Sequence, residues 1–373
     1  MSLLSLLLIP VIALALNVSA INRQAYEAIE YMKKIEEFPD YIQGELLKLW
    51  LTEDSLPSGR LFYGDEELKK EHMKSLHENM NLSEVPPKVE VSFGWTKKPT
   101  DMKLYPTRVV IHKGDKDIDY NQYTMLDAFT PVVLLHRSKD KRWCYVHAPY
   151  MRGWVECVSL HMASREELKH ILSLPFLVVI KGSLKIGGVW FYLGSRVPYL
   201  EKEKNRYLVL LPDGSRRWVS LEEGFHEGFL KFSPDRAKHI LDSLLGSPYR
   251  WGSKWDCSAL VKDLYAVFGL ELPRNSSQQA QVGRVVATSF KSYEELKETL
   301  RGLPPFQTLI FFKGHVMIYG GMEGNEPVVY HAVYKLKSET GSEWWIKAIK
   351  KNLLESHRLR NIHRAIVSVN VLD

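Results

Sequence analysis

Cys257 is the residue whose position most favours covalent chemistry. It follows Asp256 at the start of a predicted helix that ends at Gly269. The apolar residues of this helix recur at helical spacing: Leu260, Val261, Leu264, Val267 and Phe268. Unpaired N–H groups and the helix dipole lower a thiol pKa at a helix N-terminus, so this position favours the nucleophilic thiolate. For a single cysteine, the alternative is a buried side chain that packs as a small apolar residue.

Two histidines could supply the base that a thiol nucleophile needs. His315 begins a predicted strand bounded by glycines, and His331 lies in the following strand, Val328 to Ala332. A hairpin would place both imidazoles beside one cysteine, where one accepts the thiol proton and the other orients it. The chain has 13 histidines, so spacing alone leaves other pairings open.

Composition limits the classes of protein to which the chain can belong. Its 373 residues predict two or three domains, and 45% hydrophobic with 25% charged residues is a globular composition. A net charge of +6 is mild and predicts no nucleic-acid partner. Three cysteines are too few for a disulfide-built scaffold.

The chain divides into five predicted segments. Residues 1–20 form a signal peptide with its cleavage site after Ala20, and residues 21–100 form a helical region (22–52) and an irregular connector. Short β-rich runs predict two small SH3-like barrels over 101–165 and 166–230, each ending in a Trp-Val pair. The last segment, 231–373, is an α+β domain whose first helix begins at Ser233-Pro234.

The N-terminal apolar run sets the expected location. A cleaved signal peptide predicts a secreted or periplasmic protein with no stable membrane insertion, and we expect a monomer. An uncleaved anchor and a buried helix are the alternatives, because the run has no Lys or Arg before it.

Several motifs together resemble the NlpC/P60 family of cysteine peptidases. They occur in the family's order and spacing over about 130 residues. The residues that carry the resemblance are Ser247-Pro248-Tyr249-Arg250-Trp251-Gly252, Asp256-Cys257-Ser258, Leu272-Pro273-Arg274-Asn275-Ser276, Gln279, Phe311-Phe312, His315 to Gly320 and His331-Ala332. Upstream, Tyr105-Pro106-Thr107, residues 119–124, residues 133–138 and Gly153-Trp154-Val155 resemble the first bacterial SH3 domain of one NlpC/P60 subgroup. Ala259 and Phe306-Gln307-Thr308 depart from the family, which usually has Gly and Pro-Gly-Asp there.

The resemblance implies a papain-like α+β catalytic domain after a helical region and two SH3-like domains. It also implies an endopeptidase that cuts the γ-D-glutamyl–L-diamino acid bond of peptidoglycan peptides, with no metal or organic cofactor. Cys257 would be the nucleophile, His315 the general base and His331 the residue that orients it. Tyr249 would help to stabilise the oxyanion, and Asp256 would bind the free amine of an N-terminal L-Ala, with Ser258 contacting the same segment. For Asp256, plain N-capping of the helix is the alternative.

Other residues have weaker signals. Arg274, Ser276 and Gln279 could support the site by hydrogen bonds alone, and Asp119, Tyr120 or Tyr150 of the first barrel could help to hold the substrate amine. If His147 pairs with Trp154, Cys144 falls opposite Cys157 and a disulfide is possible; a zinc site there is disfavoured. The basic run from Lys347 to Arg364 is interpreted as a solvated helix face, with an anionic wall polymer as a second interpretation.

Two other functions stay open. One is a lytic enzyme that acts on intact peptidoglycan, and the other is a catalytically weak cell-wall-binding protein. The sequence does not choose between meso-diaminopimelate and Lys in the substrate.

Overall fold

A computed structural model of the chain describes residues 16–337, 343–354 and 362–373. Most of the predicted signal peptide therefore lies outside the described residues, and its predicted cleavage site falls within the first described helix, Val18–Ala28. Within these three ranges, no helix is both long enough and apolar enough to cross a bilayer.

The N-terminal region is more ordered than predicted. Its helices are α1 (Val18–Ala28), α2 (Gly44–Thr52) and α3 (Lys70–Asn79). Its strands are β1 (Tyr41–Gln43), β2 (Phe62–Tyr63), β3 (Glu66–Glu67) and β4 (Lys88–Glu90). The expectation of an irregular connector over 53–100 is wrong, because β4 pairs with β1 and β2 pairs with a strand near residue 111, and local sequence does not reveal these partners outside the connector.

The next region is an antiparallel seven-stranded sheet with one short additional strand. The strands are β5 (Ser92–Thr96), β6 (Thr100–Lys103), β7 (Ile111–His112), β8 (Gln122–Leu126), β9 (Pro131–Arg137), β10 (Trp143–Ala148), β11 (Met151–Glu156) and β12 (Leu160–Ala163). Their order in the sheet is β12-β5-β9-β10-β11-β6-β8, while β7 pairs with β2. Across these described strands the two end strands stay unpaired with each other, so the sheet is open and the expected closed barrel is wrong. Strand β5 joins this sheet although it precedes the predicted boundary at 101.

The predicted disulfide of this sheet is present, but the strand register on which the prediction depended is wrong. Cys144 and Cys157 are bonded, with Cα atoms 5.1 Å apart. His147 pairs with Arg152, however, and not with Trp154, because only two residues connect β10 to β11. Cys157 reaches Cys144 because it leaves the strand in a 3₁₀ turn, Cys157–Ser159, whose first N–H donates to the Arg142 carbonyl.

A second, smaller sheet follows helix α4 (Arg165–Ser173). Its strands and hairpin are β13 (Phe176–Val179), β14 (Ser183–Ile186), β15 (Val189–Tyr192), β16 (Arg196–Glu203), β17 (Arg206–Leu210), β18 (Arg216–Ser220) and β19 (Phe225–Glu227). The sheet order is β18-β17-β16-β13-β19, and β14 pairs with β15 as a separate hairpin. The end strands of this sheet, β18 and β19, are not paired with each other among the described residues. The second predicted barrel is therefore also an open sheet.

The C-terminal region is the α+β unit that carries the candidate residues. Its helices are α5 (Pro234–Leu244), α6 (Cys257–Ala266), α7 (Ser276–Gln279), α8 (Tyr293–Arg301) and α9 (Ile362–Ala365). Its strands are β20 (Arg284–Ala287), β21 (Thr308–Phe312), β22 (His315–Glu323), β23 (Glu326–Lys337), β24 (Glu343–Leu353) and β25 (Ile366–Val371), in the order β20-β25-β21-β22-β23-β24. The apolar face of α6 shares one core with β22 and β23, and this packing holds the N-terminus of α6 near the start of β22.

The basic run from Lys347 to Arg364 does not form the predicted helix face where the structure describes it. Lys347, Lys350 and Lys351 lie on strand β24, which pairs with β23, so the interpretation of this part as a helix face is wrong. The part of the run at 355–361 lies outside the described residues.

The seven-stranded sheet, called the first sheet from here on, is held against the α+β unit by buried contacts. Lys254 lies between Asp127 of the first sheet, at 3.0 Å, and Asp263 of α6, at 2.5 Å. Gly252 has a φ of +58°, and a Cβ atom there would lie 2.6 Å from the Gln122 side chain, so the two units approach closely at this glycine. The candidate site therefore lies beside a fixed junction.

Candidate active site

Cys257 is the first residue of α6, as predicted. Asp256 is the N-cap, and its Oδ1 accepts from the Ala259 N–H at 2.9 Å, so the capping role of Asp256 is confirmed. Cys257 is a free, buried thiol, and its Sγ lies 4.0 Å from the Gly314 carbonyl oxygen. The Val316 N–H also interacts with this sulfur. The thiol thus contacts the backbone on both sides of His315.

The protein holds this thiol protonated when no substrate is bound. Burial, and then the negative charge of Asp256, raise the pKa of Cys257 to about 12, against opposing effects of the Val316 N–H and Arg274. The Ser258 N–H at the helix N-terminus does lower this pKa, as expected, but desolvation of the thiolate outweighs it and the net shift is upward. Loss of the thiol proton must accompany bond formation, which requires a neutral base.

The two predicted histidines meet as a pair. His315, at the start of β22, has its Nε2 atom 2.9 Å from Nδ1 of His331 on β23. Burial lowers the pKa of His315 to about 3, with a further contribution from His331, and burial lowers the pKa of His331 to about 4. Both imidazoles are therefore neutral near pH 7, and the bond to His331 leaves Nδ1 of His315 as the nitrogen free to act on another group.

A fourth polar residue extends this row. Nε2 of His331 lies 3.1 Å from Oδ1 of Asn352, on the neighbouring strand β24. The sequence reasoning missed Asn352, because it interpreted this stretch as a helix, in which Asn352 has no reason to lie beside His331. The available signal of a strand is short, because apolar and charged residues alternate only over Ile346, Lys347 and Ala348, and Ile349 then breaks the alternation.

Asp256 is also part of a buried ion pair. Arg274 donates from Nη1 to Oδ1 at 3.1 Å and from Nη2 to Oδ2 at 2.6 Å of this carboxylate. The same guanidinium donates to Ser258 Oγ at 2.9 Å and, from Nε, to Thr124 Oγ1 of the first sheet at 2.8 Å. Gln279 donates to the Ser258 carbonyl at 2.9 Å. Arg274 and Gln279 thus support the site by hydrogen bonds, and Arg274 connects Asp256 to the first sheet.

The other predicted site residues lie in different surroundings. Tyr249 is half-buried, and burial and the charge of Asp256 raise its pKa well above its usual value, so its hydroxyl stays a donor. Tyr120 faces the α+β unit, with its ring 6.0 Å from that of Trp251. Asp119 is buried, and its Oδ2 accepts from Lys103 Nζ of the same sheet region at 2.8 Å, so it does not face the α+β unit. Tyr150 lies at the junction, under the ammonium group of Lys262.

A buried thiol at a helix N-terminus contacts the backbone on both sides of a histidine that is bonded to a second histidine, and this is the arrangement of a cysteine hydrolase with a papain-like fold. Residues 246–358 match the NlpC/P60 family, and residues 111–156 match the SH3 domain of SH3b1 type. The chain therefore contains an NlpC/P60 domain preceded by an SH3b1-type domain, which confirms the resemblance seen in its motifs.

Known proteins with similar sequence or structure agree with this fold. A gamma-D-glutamyl-L-lysine dipeptidyl-peptidase of Bacillus cereus is 30% identical over 100 residues, which span 25% of this chain and 30% of that protein. An NlpC/P60 endopeptidase from Photobacterium damselae subsp. piscicida superposes with a TM-score of 0.72 at 20% identity, covering 96% of this chain and 94% of that one. An NlpC/P60 family protein from Bacillus cereus gives 0.55 at 18% identity, covering 75% and 99%. The first of these structures extends the likeness in fold over nearly the whole chain.

Proposed function

We propose that the protein is a secreted or periplasmic cysteine endopeptidase that hydrolyses the γ-D-glutamyl–L-diamino acid bond of peptidoglycan stem peptides. The observation that carries the proposal is the placement of the Cys257 thiol against the backbone on both sides of His315, which is itself bonded to His331. The name of the Bacillus cereus relative supports the same class of bond. Cys257 would be the nucleophile, His315 the general base and His331 the orienting residue.

The reaction would proceed through a thioester. Nδ1 of His315 accepts the thiol proton while Sγ of Cys257 attacks the γ-carbonyl carbon of D-Glu. The negative oxygen of the tetrahedral intermediate accepts hydrogen bonds from the Cys257 N–H and the neutral Tyr249 hydroxyl. When the C–N bond breaks, the imidazolium returns its proton to the leaving amine. Water, activated by the same His315, then hydrolyses the thioester and restores the thiol.

Recognition of a free N-terminal amine would use Asp256. Its Oδ1 already accepts from the Ala259 N–H, the Arg274 Nη1 and the Ser258 hydroxyl, whereas its Oδ2 accepts one bond, from Arg274 Nη2. Oδ2 can therefore still accept from a substrate ammonium group in a charge-assisted hydrogen bond. Ser258, which is buried and bonded to Arg274, would contribute mainly by fixing Oδ1.

Tyr120 is the first-sheet residue best placed to help. Its ring lies beside Trp251, whereas Asp119 pairs with Lys103 and Tyr150 packs at the interdomain junction.

Amine recognition would also determine which form of the substrate is cut. Intact peptidoglycan blocks the L-Ala amine by its bond to muramic acid, so amine recognition would select stem peptides already released from the glycan.

The test is turnover of L-Ala-γ-D-Glu-meso-diaminopimelate with a free amine, compared with the N-acetylated peptide, the L-Lys peptide and intact sacculi. We expect cleavage of free peptides only, lost in Cys257→Ala and His315→Gln and retained in His239→Gln, which changes an exposed histidine of α5. Equal cleavage of both amine states would contradict the role of Asp256 and favour a lytic enzyme. Absence of thiol-dependent turnover would favour the wall-binding alternative.

A further inference from the structure

Asn352 lies beside the histidine pair without reaching the thiol. On the β23–β24 ladder His331 is opposite Lys350 and Val329 is opposite Asn352, so Asn352 is a diagonal neighbour of His331. Its amide oxygen lies 3.1 Å from Nε2 of His331. The contact is non-local, and it ends a row of polar groups that runs from His315 through His331.

We propose that Asn352 is a positioning residue, which fixes the tautomers of His331 and His315 so that Nδ1 of His315 is left without a proton. This inference rests on the proposed function, because it assigns a direction to the proton transfer of that same site. It adds to the Cys-His-His set a residue that acts through its bond to His331.

The direction follows from counting protons along the row. An amide oxygen only accepts hydrogen bonds, so Nε2 of His331 must carry the proton. A neutral imidazole has one N–H, and Nδ1 of His331 is then an acceptor. The atom 2.9 Å away, Nε2 of His315, must therefore be the donor, and its Nδ1 has a free lone pair.

The opposite orientation of the amide would reverse every bond in the row. If the Asn352 NH₂ group faced His331, Nε2 of His331 would accept and its Nδ1 would donate. Nδ1 of His315 would then carry the proton, and it could not accept a second one from Cys257 while the imidazole stays neutral. Burial supports this one-proton counting, because His331 is only 3% exposed and the protonated imidazole is disfavoured there.

The first test reads the tautomers directly and needs no substrate. In protein labelled with ¹⁵N at histidine, long-range ¹H–¹⁵N correlation spectra near pH 7 should show both His315 and His331 as the Nε2–H tautomer. Assignments come from His315→Gln and His331→Gln. A spectrum in which His315 carries its proton on Nδ1 would overturn the proposal.

The second test changes the acceptor. Asn352→Leu keeps a similar volume and removes the acceptor, so His331 should lose its single tautomer, and kcat should fall about 10- to 100-fold, the loss found when the hydrogen-bond partner of a metal-bound histidine is removed. Asn352→Asp retains an acceptor oxygen and should keep the wild-type tautomers and most of the turnover. Lys350→Ala, an exposed change opposite His331 on the same strand, is the matched control and should alter neither.

The outcomes separate the two proposals. Unchanged tautomers and turnover in Asn352→Leu would refute the positioning role, and so would a loss of the single tautomer in Asn352→Asp equal to that in Asn352→Leu. If Asn352→Leu does not fold, Asn352→Asp and the wild-type spectrum still decide. Nε2–H tautomers in a wild-type protein that cleaves none of the peptides would support the positioning of the imidazoles and refute the proposed function alone.

Discussion

The ion pair between Arg274 and Asp256 provides a quantitative test of how the site is held together. The Arg274 side chain is 3% exposed and that of Asp256 is 11% exposed, so neither charge can be solvated by water if its partner is removed. Arg274→Met keeps the length of the side chain and leaves the carboxylate with two remaining donors, the Ala259 N–H and the Ser258 hydroxyl. Breaking a buried pair on one side costs about 3–5 kcal/mol of unfolding free energy.

A double-mutant cycle isolates the pair. Asp256→Asn alone should be similarly destabilising, while Asp256→Asn with Arg274→Met should cost clearly less than the sum of the single changes, because no isolated charge remains. Arg284→Met is the matched control: Arg284 pairs with Asp373 but is 54% exposed, so about 0–1 kcal/mol is expected.

The assay is hydrogen exchange of the α6 amides, Cys257 to Ala266, under native conditions, supported by denaturant unfolding followed by tryptophan fluorescence. The local readout is preferred because the chain has several domains, and a single unfolding transition is not guaranteed. If Arg274→Met weakens α6 protection no more than Arg284→Met does, or if the single effects simply add, then the buried pair does not hold Asp256 in place and the reasoning fails.

Three further changes are expected to act on stability. Reducing the Cys144–Cys157 disulfide, whose cysteines are 13 residues apart, should lower the unfolding free energy by about 3 kcal/mol, measured with and without reductant in a Cys257→Ala background; no change would contradict this. Burial lowers the pKa of His147 to about 3, so the unfolded chain binds the extra proton below about pH 6.5, and stability should fall as pH drops by about 1.4 kcal/mol per unit. His147→Leu should remove that increment from the acid slope, and equal slopes would refute it. Lys254→Met should cost about 3–5 kcal/mol in thermal or denaturant unfolding, because it removes the ion-pair partner of Asp127 and leaves buried Asp263 with Lys262 alone, and a cost under about 1 kcal/mol would argue against the buried network.

The sequence predicted the parts of the site that local pattern determines. The Asp–Cys helix start follows from a capping residue before apolar residues at helical spacing, and the structure has it at the predicted residue. His315 and His331 meet because consecutive strands joined by a short turn pair with each other, which is a local rule. The disulfide partners were also found, although the register behind that prediction was wrong.

The parts that were missed depend on contacts between distant segments. Asn352 reaches His331 only because β24 pairs with β23, and a lysine-rich run without strict alternation resembles a helix face as much as an edge strand. Arg274 reaches Thr124 across 150 residues of sequence, and no local signal reports such a bond. The sequence predicts small barrels where the structure has open sheets, because closure depends on how all strands pair with one another and not on any single run.

The bond between Thr124 and Arg274 has a consequence for modularity. A fragment limited to residues 233–373 would lose the acceptor on Nε of Arg274 and the Asp127 partner of Lys254. Two cations that are buried in the whole chain would then face water at a newly exposed surface, next to the carboxylate that caps the Cys257 helix. The C-terminal domain therefore cannot be combined freely with other N-terminal domains. A replacement for the preceding sheet would have to supply a matching hydroxyl and carboxylate.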